Sequence, residues 1–155
     1  MIVISDTSPI NYLILIGEIN LLEKLYQEII IPPIVFEELT ADASPEEVKI
    51  WLKNKPVWLL IKKPATLISP IFFGLDAGET EAIQLAKELK ADLLIIDEKQ
   101  GRKIAREQGL KIVGIIGVLV SAIEKNLINA EETIEKLENT NFRFAATFKE
   151  LLRNL

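Results

Sequence analysis

Four acidic residues stand where a chain could use them for chemistry. Asp6 closes the apolar run Ile2-Val3-Ile4-Ser5, and Asp97 closes Leu93-Leu94-Ile95-Ile96. Glu79 ends the stretch Asp76-Ala77-Gly78-Glu79, and Glu38 lies in Val35-Phe36-Glu37-Glu38-Leu39. Short apolar runs read as buried strands, and in open α/β sheets ligands bind outside the carboxyl ends of the strands. Carboxylates gathered there repel one another unless a cation lies between them. Hard oxygen donors suit Mg2+ or Mn2+, and a substrate carrying its own negative charge would in turn suit the ion.

Each acid also has a structural use. Asp6 and Asp97 could accept backbone hydrogens at the start of the helices that follow them. Asp76 and Glu79 have the spacing of a capping box, with the acid at the N-cap and Glu reaching back from the third helical position. Glu38 could belong to a solvated helix face, where Glu37 competes with it for any role. Separate capping does not require these side chains to converge, whereas a metal site does.

The remaining composition narrows the chemistry. The chain of 155 residues has no cysteine and no histidine. Disulfides, thiol nucleophiles, Ser-His-Asp triads, histidine acid–base catalysis and the usual zinc sites are thereby excluded. Neither GxGxxG nor a P-loop occurs, which argues against nucleotide binding of those types. The Asp-x-Asp pair of a phosphatase is missing, since Ser8 stands two residues after Asp6.

The elements that must position these acids follow from periodicity and punctuation. Strands are expected over 2–5, 28–31, 57–61, 93–96 and 111–113. Helices are expected over 10–16, 19–26, 34–39, from 45 to near 56, 77–90, 98–108, 115–125, 130–137 and 145–152. Ser8-Pro9 and Ser44-Pro45 read as helix starts with Ser at the N-cap, and Gly109 as a helix stop. Residues 63–73, with Pro64 and Pro70, read as a loop. Strands alternating with helices predict an α/β protein, a three-layer α/β/α sandwich with a central parallel sheet. The length suits one domain over residues 1–155.

At this point the residues resemble a family. Asp6-Thr7-Ser8, Val35-x-x-Glu38-Leu39, Gly78-Glu79-x-Glu81-Ala82-Ile83-x-Leu85-Ala86 and Leu94-Ile95-Ile96-Asp97-Glu98-x-x-Gly101-Arg102-x-x-Ala105 are similar to PIN domains. The likeness is to VapC-like toxin ribonucleases and to related PIN-like nucleic-acid-binding proteins. Gly114-Ile115-Ile116-Gly117-Val118-Leu119 and Phe142-Arg143 also suit the latter group, so the resemblance spans essentially the whole chain. It implies a Rossmann-like α/β/α domain, metal-dependent cleavage of RNA, and an acidic constellation at Asp6, Glu38, Glu79 and Asp97. It further implies homodimers and a small antitoxin partner. Two positions depart from the toxin pattern: Glu79 stands where Asp is frequent, and Glu98 follows Asp97 directly. The rival reading is a PIN-like module that binds nucleic acid or protein without cutting.

Net charge is −5 and the isoelectric point about 4.9, the wrong sign for a protein that grips phosphates over a wide surface. Local cations must then do that work. Lys99, Arg102, Lys103 and Arg106 recur at helical spacing just after Asp97. Arg102 is the leading candidate for a substrate contact, with Lys62-Lys63 and Arg143 behind it. The alternative is a solvated face, with Glu98 pairing Arg102 and Glu107 pairing Lys103. Thr7, Ser8 and Asn11, beside Asp6, could orient water or a phosphate oxygen. Trp51 and Trp58 read as core or interface, and Phe72-Phe73 as a pair whose exposure would mark a partner contact. Mean hydropathy is +0.25, but the longest uncharged stretch in the second half, 112–123, is 12 residues. That is short of the roughly 20 a spanning helix needs, so no membrane association is expected. The N-terminus shows neither a basic region nor a signal-like apolar core, which predicts a cytoplasmic protein.

Overall fold

The computed structural model describes residues 1–66, 74–143 and 146–155. Its elements run Val3–Ser5 (β1), Thr7–Leu15 (α1), Leu21–Tyr26 (α2), Ile29–Ile31 (β2), Pro33–Thr40 (α3), Glu46–Lys53 (α4) and Leu59–Ile61 (β3). Ala77–Glu88 (α5), Leu93–Ile95 (β4), Lys99–Glu107 (α6), Ile112–Val113 (β5), Ile115–Glu124 (α7), Ala130–Glu138 (α8) and Ala146–Arg153 (α9) follow. The strands form one parallel sheet in the order β3-β2-β1-β4-β5. The chain moves outward from β1 to β3, then crosses back to place β4 on the other side of β1. The junction of β1 and β4 is therefore the switch point, where a crevice opens at the carboxyl ends of such sheets.

Alternation along the strands divides the interior into two layers, because successive side chains leave a sheet on opposite faces. Val3, Ile29, Ile31, Leu59 and Ile95 pack on one face with the apolar stripes of α1 to α4 and α7 to α9. Ile4, Ile30, Leu94 and Ile96 pack on the other with α5 and α6. Sheet and helices on both faces make the three-layer sandwich that the alternation of elements predicts. Trp51 and Trp58 lie 5.9 Å apart between ring centres, Trp58 buried and Trp51 half-buried against the larger core, as their core reading holds. Phe72-Phe73 lie outside the described residues.

Two helix starts differ from expectation. The first helix opens at Thr7 with Asp6 at its N-cap, so Ser8 and Pro9 are its second and third residues. The Asp6 N–H is held by the Ile95 carbonyl at 2.9 Å, which carries β-type pairing to the helix itself and leaves no room for a linker. Pro9 is tolerated because the first N–H groups of a helix have no intrahelical acceptor. In α4, Pro45 rather than Ser44 is the N-cap.

Candidate metal centre at the sheet's carboxyl edge

Register fixes the first two acids. Ser5 pairs with Ile95 across the β1–β4 junction, so Asp6 and Asp97 leave the sheet side by side at its carboxyl edge. Glu38 comes from α3, which follows β2, Asp76 from the N-cap of α5 and Glu79 from its first turn. Asp6, Glu38, Glu79 and Asp97 line one cavity of about 400 Å3 together with Thr7, Ser8, Asn11, Tyr12, Asp76 and Glu98. Every candidate acid, and the three polar residues beside Asp6, therefore meet in one hollow. Arg102 does not line it; that residue lines an adjoining cavity in which Asp97 is the shared wall.

The tightest group is Asp6, Glu38 and Asp76, each of which offers a carboxylate oxygen within 4.8 Å of the others. Asp76 was expected only as a helix cap. It does cap α5, accepting the Glu79 N–H at 2.8 Å, but its side chain also joins the acidic cluster. The capping-box spacing concealed this second role, since a local pattern accounts for the residue without reference to β1. Glu79 is buried, and its carboxyl meets the Asp76 side chain. Glu38 turns inward and accepts the Thr7 hydroxyl at 2.5 Å, while Glu37 is exposed; the competition between the two is decided by the rotation of α3.

Asp97 does not cap the helix that follows it. Glu98 occupies that N-cap, and Asp97 Oδ1 instead accepts the Ile115 N–H at the start of α7, 2.8 Å away. The contact ties the carboxyl end of β4 to the helix after β5. Arg102 donates through Nη1 to the Ile96 carbonyl at 2.8 Å, rather than standing on a solvated face. Its charge lies near Asp97 and eases that carboxylate's ionisation.

Three glycines make room for the acids. A β-carbon on Gly78 would come 2.6 Å from Glu38 Oε1; one on Gly101 would come 2.9 Å from Glu79 Oε2. On Gly114 it would come 2.6 Å from Asp97 Oδ1 and 2.9 Å from Arg102 Nη1. Each lies at or near a helix start, and each leaves space for a different acid. The motifs contain these glycines, but their purpose is invisible until the helices are stacked.

The electrostatics are those of carboxylates crowded together and withdrawn from water. Burial pushes the Asp6 carboxyl up to about 7; the Thr7 N–H partly offsets this, and Asp76, Glu38 and Asp97 add to it. Burial, the Asp76 hydrogen bond and nearby carboxylates raise Glu79 to about 8. Glu38 and Asp97 are also raised, chiefly by desolvation. Asp6 Oδ1 and Asp97 Oδ2 are buried with no hydrogen-bond partner among the described residues. Buried polar oxygens are rarely left so, and two such carboxylate oxygens at one edge of the sheet, each carboxylate with a backbone N–H on its side but these atoms bare, suit a cation. The donor set, all carboxylate oxygen, fits Mg2+ or Mn2+ and does not resemble a zinc site.

Comparison with known proteins agrees with this fold. Residues 2–155 match the model of the family DUF3368, described as a PIN domain. The chain belongs to the PIN-domain family. Among solved structures it is similar to a PilT N-terminus domain protein from the hyperthermophilic archaeon Sulfolobus solfataricus P2, at 19% identity and a TM-score of 0.54. That match covers 93% of this chain and 100% of the other, and it supports the fold. Comparison with curated proteins gave no significant match. PIN domains are in general nucleases that use divalent metals, and an acidic cluster able to hold such an ion is present here. No helix among the described residues is long and apolar enough to cross a membrane.

Proposed function

We propose that this protein is a divalent-metal-dependent ribonuclease that hydrolyses RNA phosphodiester bonds, with Asp6, Glu38, Glu79 and Asp97 as its acidic machinery and Asp76 as a fifth member. The observation that carries the reading is the convergence of Asp6, Glu38 and Asp76 within 4.8 Å, beside buried, unpartnered oxygens on Asp6 and Asp97. Asp6, Glu38 and Asp76 would hold the ion, with Asp97 and Glu79 at its margin. When bound, the ion supplies a compact positive charge against the negative charge that develops at phosphorus and acidifies the attacking water. Thr7 fixes the Glu38 carboxylate through its hydroxyl. Ser8 and Asn11 line the same hollow and would orient water or a phosphate oxygen. Arg102, anchored on the Ile96 carbonyl, would meet the substrate's phosphates from the neighbouring cavity.

The family likeness extends this reading to a toxin of a toxin–antitoxin pair, a homodimer inhibited by a small antitoxin and acting in the cytoplasm. An assay on single-stranded RNA with Mg2+ or Mn2+ tests the core of it. Asp6→Asn and Asp97→Asn should each lower cleavage by about a hundredfold or more, as loss of transition-state charge stabilisation does. Cleavage unchanged by either substitution, or undiminished by a chelator, would leave only a nucleic-acid-binding module.

A further inference from the structure

The acidic hollow has a larger neighbour of different character. A cavity of about 550 Å3 opens between the end of β5, α7 and the C-terminal segment, and Asp97 forms part of the wall of both. Its walls include Ile116, Val120, Phe142 and Phe148, with Arg102 and Arg143 as the cations. The volume falls within the roughly 300–1,000 Å3 of small-ligand pockets. Apolar and aromatic walls with two arginines suit a ligand that is flat and apolar at one end and anionic at the other. The contact of Phe142 with Tyr12, edge to face at 5.0 Å, braces the partition between the two hollows, because Tyr12 lines the acidic one.

We propose that this cavity receives the base of one unpaired RNA nucleotide, adjacent to the phosphate at the acidic centre, with Arg102 and Arg143 binding the phosphate that joins them. The inference rests on the ribonuclease reading and adds to it a subsite for one base. Bases are read by aromatic stacking when they are splayed out of a helix, and a base stacked within a duplex cannot enter a pocket without leaving its partner. Because Asp97 is a wall of both hollows, a base in this cavity would lie beside a phosphate at the acidic centre, an adjacency that a protein partner docked on the same apolar walls would not require. The protein is thereby selective for single strands, and its net negative charge matters less, since two arginines and one stacking surface act at the point of contact.

The test uses the full chain carrying Asp6→Asn, with MgCl2 present, and a fluorescein-labelled ten-nucleotide single-stranded RNA read by anisotropy. The same RNA annealed to its complement is the control. The single strand should bind about tenfold more tightly than the duplex. Val120→Trp, which fills the cavity, and Phe148→Ala, at an exposed position, should each weaken single-strand binding about tenfold and leave duplex binding unchanged. Thermal melting verifies that Val120→Trp folds, and Phe148→Ala serves alone if it does not. Single-strand affinity within twofold of the parent in the folded variants overturns the proposal. So does a change in the mass in solution without a change in RNA affinity, which would make the cavity a contact between copies. Cleavage by the unsubstituted chain is scored separately. Cleavage without a cavity effect sinks this inference alone, and a cavity effect without cleavage sinks only the nuclease reading.

Discussion

Asp6 is the residue on which burial, charge and chemistry meet most sharply. Its carboxyl stands near 7 in the folded chain against an ordinary value of 3.8. The native state therefore keeps a proton that the unfolded chain has already lost, and stability falls as pH rises from about 4 to about 7. Above 7 the full cost is present, on the order of 4 kcal/mol before any relaxation of the pocket. Glu79, raised to about 8, extends the decline in the same direction. Metal-free protein should thus melt lower at pH 8 than at pH 5, and millimolar Mn2+ should raise the pH 8 melting temperature by roughly 5 °C or more, with little effect at pH 5. Differential scanning fluorimetry at the two pH values measures this; equal shifts at both would disconnect the ion from these acids. Asp6→Asn removes the charge and should stabilise the metal-free protein at pH 8 while abolishing most of the Mn2+ shift.

At the scale of elements, the glycines carry a prediction that separates site from fold. Gly78 lies in the first turn of α5, where alanine is a better helix former by about 1 kcal/mol. Its β-carbon would nonetheless collide with the carboxylate of Glu38. Gly78→Ala should therefore melt within a few degrees of the parent or slightly higher, yet lose about tenfold or more in RNA cleavage as Glu38 is displaced. Gly114→Ala sets the same test for Asp97 and Arg102, because Gly114 has the ordinary extended backbone of an N-cap, with φ −99°, that alanine adopts freely. Parallel measurement of melting and cleavage distinguishes the cases. A loss of stability equal to the loss of activity would mean that the glycines serve packing rather than the acids. Asp97 itself joins two elements, holding the Ile115 N–H at the head of α7. Asp97→Ala should accordingly destabilise the fold more than Asp97→Asn, which keeps an acceptor for that bond, by about 1 kcal/mol.

For the molecule as a whole, the sign of the charge is the constraint. With a net charge of −5, a polyanion drawn to the acidic hollow would depend on the few cations around it. Lys99, Lys103 and Arg106 border a cleft with Glu98, which also lines the acidic hollow, while Arg102 and Arg143 border the cavity on the side of Asp97. The path of a strand would run between these two cationic borders across the acids. Such a footprint neutralises about three phosphates, and the logarithm of RNA affinity should fall with the logarithm of salt with a slope of about −2. Lys99→Glu with Lys103→Glu should reduce that slope and weaken binding, while leaving the Mn2+-dependent melting shift intact. A steep slope, or an unchanged one in the double variant, would place the contact surface elsewhere.

The order of apolar runs and helical periods already implied a parallel α/β sandwich, because strand and helix periods and Gly–Pro punctuation are local properties. So was the position of Asp6 and Asp97, since an acid directly after a buried strand must emerge at the strand's carboxyl end. Spacing along the chain could not say which neighbours those acids would find. Local spacing shows Asp76 only as a cap, offers Asp97 only the next helix as a capping partner, and gives no purpose to Gly78, Gly101 and Gly114. Those facts depend on distances of a few ångströms between elements far apart in sequence, set by the switch of strand order at β1 and β4 and by the rotation of each helix on the sheet. Backbone propensity determines which elements form; only their packing decides which carboxylates share a dielectric and need a cation.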